Sequence, residues 1–222
     1  MSAIICDSSA LISLSETCNV DALAYLSSKT GARFYITPAV EKEIVFNPLN
    51  FTRHAFSAIR LKNLVTKGVL KVTSASAKRE FAELSEWSNN LFSVNRRPLR
   101  IMHAGELECL AVYKKINASG FLVDEKTARL MVESPGTLLE SLHAEYRTKV
   151  EINDNIAQKL GEFVYGINAI RSTEILALAY EKGFFSQYEG IEKEAFHAAE
   201  YAARNAGCSI SAKELAEYER IK

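Results

Sequence analysis

Acidic residues stand at recurring places in this chain. Asp7 closes the apolar run "AIIC" and Asp124 closes "FLV", and in both cases a helical pattern follows directly. Between them come Glu43 in "VEKEI" and the pair Glu106 and Glu108 in "GELEC". Carboxylates gathered in one small region repel and raise one another's pKa unless positive charge sits among them. The hard cations that take several oxygen ligands, Mg²⁺ and Mn²⁺, suit such a set. Ions of this kind orient and activate water and stabilise the oxygens of an in-line phosphoryl displacement, so the chemistry implied is phosphodiester hydrolysis. Each acid also has a structural reading. Asp7 and Asp124 can cap the helices that follow them, Glu106 and Glu108 fit the first turn of a helix for dipole reasons, and Glu43 fits a solvated face.

The elements that must position these acids alternate. Ala3 to Cys6 reads as a strand buried on both faces, and "SSALISLSE" after it has near-helical apolar spacing. "ARFYIT" (32–37) is a second strand, running into a helix that Thr37 can cap with Pro38 in its first turn. Residues 51–66 read helical, 68–75 as a third strand and 77–91 as a charged amphipathic helix. "RRPLRIMHAG" is a break, 105–116 a helix, and 119–131 a turn, strand, acid and helix. Strands alternating with helices imply an α/β fold with a doubly wound, mostly parallel sheet of four to five strands. Ligands in such sheets sit outside the carboxyl ends of the strands, where strand order reverses, and Asp7 and Asp124 both lie at such ends. From about residue 135 the pattern is helical with no good strand, with breaks expected near Gly166, Gly183, Gly190 and Gly207.

Taken together, "IICDSSALISL", "ITPAVEKEIV", "GELECLAVY" and "FLVDEKTAR" resemble the four acidic motifs of PIN-domain proteins, in the family's order and over roughly residues 3–130. "IRSTEILALAYEKGFF" (170–185) is similar to a later helix of the same prokaryotic group. The resemblance implies a metal-dependent endoribonuclease using Mg²⁺ or Mn²⁺ on single-stranded or structured RNA, either toxin-like or RNA-processing. It places Asp7, Glu43, Glu108 and Asp124 in the catalytic set and Asp7, Glu106, Glu108 and Asp124 as metal ligands, leaving open which of Glu106 and Glu108 dominates. Ser8 would be the hydroxyl beside the first acid, Glu125 stands where the family often has a second aspartate, and Arg129 matches its arginine on the helix leaving the fourth strand. A PIN-like module that binds RNA or protein without cleaving is the alternative. Residues 1–130 are then a PIN-like α/β core, 131–168 an extra helical segment beyond the family's usual pattern, and 169–222 C-terminal helices completing the same domain. The extra segment can replace the fifth strand, cover the site or build a homodimer, and an antitoxin-like protein partner fits the toxin-like role.

The rest of the chain narrows the field. Its 222 residues carry 27 Lys+Arg against 27 Asp+Glu, so no bulk field draws it to nucleic acid, and contacts with RNA must come from local patches. "NRRPLR" supplies one in Arg96, Arg97 and Arg100, which could equally be a solvated loop. The four cysteines form no CxxC or Cys/His cluster and the four histidines no ligand spacing, and no P-loop, dinucleotide or serine-hydrolase fingerprint is present. No signal peptide or membrane span is legible, so a cytoplasmic protein without membrane contact is expected.

Overall fold

The computed structural model describes residues 2–218. Its main sheet contains β1 (Ala3–Cys6), β2 (Arg33–Ile36), β3 (Leu70–Val72), β6 (Gly120–Leu122) and β8 (Ala169–Ile170), all parallel, in the order β3-β2-β1-β6-β8. A second, antiparallel sheet is built from β4 (Phe92–Val94), β5 (Arg97–Pro98) and β7 (Glu151–Ile152) in the order β5-β4-β7. The first sheet is the expected doubly wound one, and its strand order reverses beside β1. From β1 the chain moves outward to β2 and β3, then returns to β6 on the other side. The crevice of such a sheet lies between β1 and β6, at their carboxyl ends.

Burial explains why these strands were legible as short apolar runs. Ile5, Cys6, Phe34, Ile36, Phe121 and Leu122 are all completely buried, as strands sandwiched between two helical layers must be. Between β1 and β2 run α1 (Ser8–Glu16) and α2 (Asp21–Thr30). Between β2 and β3 run α3 (Pro38–Glu41), which continues through a π turn at Lys42–Phe46, and α4 (Thr52–Thr66). The return crossover carries α5 (Lys78–Leu91) and α6 (Ala104–Lys115), and α6 packs against β1 and β6. Right-handed crossovers put helices of opposite travel on opposite faces, so α1 and α4 pack together on one side and α5 and α6 on the other.

Beyond β6 come α7 (Lys126–Glu133), α8 (Pro135–Tyr146), β7 and α9 (Asp154–Val164), then β8 and the helices α10 (Ser172–Glu181), α11 (Glu192–Asn205) and α12 (Ala212–Tyr218). Two strands therefore lie where the sequence reads as purely helical. Each is two residues long, too short for any periodic signal, and each exists because a partner strand is waiting for it. The segment 131–168 is accordingly not all helical. It leaves the fifth strand in place at β8, adds β7 to the β4–β5 hairpin, and lays α9 on α5, where Phe163 meets Trp87 edge-on at 6.2 Å. Gly120 lets β8 approach, since a Cβ there would stand 2.5 Å from Cδ1 of Ile170. The expected breaks at Gly166, Gly183, Gly190 and Gly207 all carry positive φ. Among the described residues no helix is long and apolar enough to cross a membrane.

Candidate active site

Asp7 follows β1 and is itself the N-cap of α1. Its Oδ2 accepts from the Ser9 N–H at 2.9 Å and from the Ser9 hydroxyl at 2.6 Å. The cap and site readings of this residue are thus divided between its two oxygens, because Oδ1 is buried with no hydrogen-bond partner. Burial is the main force raising the Asp7 pKa; the Ser9 bonds oppose it and the charge of Glu43 adds to it. Ser9, and not Ser8, supplies the hydroxyl at the first acid. Its oxygen also accepts from the backbone N–H of Asp124 at 3.0 Å and of Glu125 at 3.3 Å, so one side chain ties the ends of β1 and β6 together. The distinction was readable, since an aspartate at a helix start accepts from the residue two positions on.

Glu43 lies in the π turn that follows α3, a feature that redirects side chains and recurs at functional sites. Its carboxylate lies over Gly105 at the start of α6: a Cβ there would be 3.1 Å from Oε2 and 3.2 Å from Oε1. The glycine of "GELEC" keeps that approach open. Glu106 is buried, and its Oε2 accepts from the His103 N–H at 2.5 Å. Burial, followed by the charges of Asp7, Glu125 and Glu43, lifts its pKa to about 8 against that bond. Glu108 turns elsewhere on α6. It accepts from the Ala39 N–H at 3.2 Å and lines a cavity beyond Pro38.

Asp124 is completely buried at the end of β6, with both oxygens engaged by Ser172 at the start of α10: Oδ1 by the N–H at 2.8 Å, Oδ2 by the hydroxyl at 2.7 Å. Ser172 falls within the "IRSTEILALAYEKGFF" stretch that resembles a family helix, but its pairing with Asp124, 48 positions away, carries no local signal. Glu125 caps α7 by accepting from the Ala128 N–H at 2.6 Å. Arg129 pairs with Glu133 at 2.5 Å and reaches the Ser209 hydroxyl at 3.3 Å, holding the C-terminal segment against this edge. Arg96, Arg97 and Arg100 are exposed. The first two lie at the turn of the β4–β5 hairpin, where Asn95 and Arg96 have positive φ, and none of the three forms an ion pair among the described residues.

The structure therefore brings Asp7, Glu43 and Glu125 within electrostatic reach of Glu106, and Glu43 within reach of Asp7, with Glu108 to one side and Asp124 bonded to Ser172. A PIN domain family model matches residues 3–137, more than half of the chain. The chain belongs to the PIN-domain family. No curated protein and no solved structure matches it. Within this PIN domain the donor chemistry suits a hard cation, being all carboxylate oxygen, and the unpartnered Asp7 Oδ1 is the kind of buried acceptor a ligand would satisfy. The side chains are not gathered to coordination distance: among the described residues no three His, Cys, Asp or Glu converge as a metal-holding group.

Proposed function

We propose that this PIN-domain protein is a divalent-metal-dependent nuclease that hydrolyses phosphodiester bonds in RNA. The observation that carries the reading is the buried, unpartnered Oδ1 of Asp7 at the sheet's switch point, with Glu43 and Glu106 in electrostatic reach of that residue and no ion pair to any of the three among the described residues. Asp7, Glu43 and Glu106 would hold Mg²⁺ or Mn²⁺, with Asp124 supporting the set from β6 and Glu108 standing beside it on α6. The cation would supply a water acidified toward neutrality and charge stabilisation at the scissile phosphate. The chain's own contribution is positional. Ser9 fixes Asp7 through Oδ2 and leaves Oδ1 without a partner, while Ser172 immobilises Asp124 and so the carboxyl end of β6. Glu106 holds a proton near neutrality and must release it to act as a ligand. Arg96, Arg97 and Arg100 are exposed cations suited to phosphate contacts along an RNA strand.

A binding module without cleavage is the second reading. It is favoured by the absence, among the described residues, of three converging ligands and by the complete engagement of Asp124 with Ser172. An antitoxin-like partner or a second copy of the chain would find an apolar surface on the π turn and α4, where Phe46, Phe51, Phe56 and Ile59 are exposed. Cleavage of a mixed-sequence labelled RNA with Mn²⁺, with Mg²⁺ and with chelator separates the readings. Metal-dependent cutting that disappears in Asp7→Asn is expected; RNA retention by both proteins with no cutting under any condition would favour the module.

A further inference from the structure

We propose that the cavity beside Glu108 is a nucleobase subsite, selective for a base that carries an exocyclic amino group. This inference rests on the nuclease reading, since it supplies the part of that site that would hold the substrate strand. The cavity, about 270 Å³, opens at the carboxyl ends of β2 and β3 and is lined by Pro38, Thr73, Ser74, Ser76, Phe81 and Glu108 among others. It thus lies along the same sheet edge as Asp7, displaced by the two strand spacings from β1 to β3, or roughly 10 Å.

Its chemistry is that of a base pocket. Phe81 is half-buried, packed on the core, and presents a ring on which a planar base can stack. The hydroxyls of Thr73, Ser74 and Ser76 can either donate or accept, so they tolerate any base edge. Glu108 only accepts when ionised; with Oε2 on the Ala39 N–H, its other oxygen can take the amino hydrogen of cytosine, adenine or guanine. Uracil has no such group and offers only N3–H, flanked by two carbonyl oxygens that an ionised carboxylate repels. Lys78, exposed at the rim, suits the phosphate that accompanies the base. Glu108 stands on α6, the helix that also carries Glu106, so the cavity adjoins the acidic set.

Isothermal titration of the full chain in chelator with cytidine 5′-monophosphate and with uridine 5′-monophosphate tests the assignment. Saturable binding of the cytidine nucleotide is expected, about tenfold tighter than the uridine nucleotide, and about tenfold weaker in Phe81→Leu. Ala75→Trp, which fills the cavity from its loop, provides a second variant and should abolish binding. No saturable binding, equal affinity for the two nucleotides, or binding unchanged by both variants would overturn the subsite. Asp7-dependent RNA cleavage in the absence of that binding would leave the nuclease standing and remove the pocket. Phe81-dependent binding without cleavage would do the reverse.

Discussion

Asp124 and Ser172 are joined by two hydrogen bonds at once, the carboxylate accepting the serine's N–H at 2.8 Å and its hydroxyl at 2.7 Å in a completely buried setting. The contact links the end of β6 to the first turn of α10, so a residue that sequence marks as site chemistry also holds two distant elements together. Asp7 differs, since one of its oxygens has no partner. The amide variants of the two residues should therefore part company. Asp124→Asn forces the Ser172 hydroxyl to turn from donor to acceptor and exchanges two carboxylate bonds for weaker amide ones, and should cost about 1–3 kcal/mol. Asp7→Asn keeps an acceptor for Ser9 and removes a desolvated charge, so its stability should stay within about 1 kcal/mol of the parent. Urea denaturation of the metal-free proteins near neutral pH checks both.

Ser9→Ala should cost about 1–3 kcal/mol, because it removes the donor to Asp7 and leaves the Asp124 N–H without its acceptor. Ser8→Ala, outside that network of side-chain bonds, should cost less. Denaturation midpoints of the two single variants give the comparison, and a larger loss for Ser8 would contradict the assignment of the hydroxyl.

The folded chain holds the Glu106 proton more tightly than the unfolded chain does, its pKa being raised from 4.5 to about 8 by burial and neighbouring acids. More protons are bound in the native state across that window, so in chelator the Glu106 contribution to stability falls as pH rises from about 4.5 to about 8. Glu106→Gln should flatten this decline. Thermal melts of parent and variant at pH 5 and pH 8 measure it: the variant should gain on the parent at the higher pH.

At the C-terminal end the sign is opposite. Ser211 and Arg171 hold the Glu214 carboxyl down to about 2, with Arg171 bonded to it at 2.7 Å across α10 and α12. That contribution is present above pH 4.5 and is lost as pH falls toward 2. The amides of α12 should therefore lose exchange protection, after correction for intrinsic rates, between pH 5 and pH 2. In Glu214→Gln they should show the weaker protection already at pH 5.

Much of this was legible because the central strands are buried on both faces and appear as uninterrupted apolar runs ending on an acid. The helix after β2 is also written locally, with Thr37 accepting from the Val40 N–H at 3.2 Å and Pro38 at its start. β5, β7 and β8 were not legible, since two-residue strands are decided by pairing with partners far away in the chain. The site divides in the same way. The acids and their order could be read from the chain, but the π turn that carries Glu43 over Gly105 and the seating of Asp124 on Ser172 are products of tertiary packing.

The central claim is that the switch-point acids take a divalent cation through Asp7. Mn²⁺ titration followed by the electron paramagnetic resonance signal of the free ion addresses it without requiring a substrate. One saturable site in the parent, lost or weakened at least tenfold in Asp7→Asn and displaced by Mg²⁺, is the predicted result. Equal Mn²⁺ binding by parent and variant, or none by either, would contradict it.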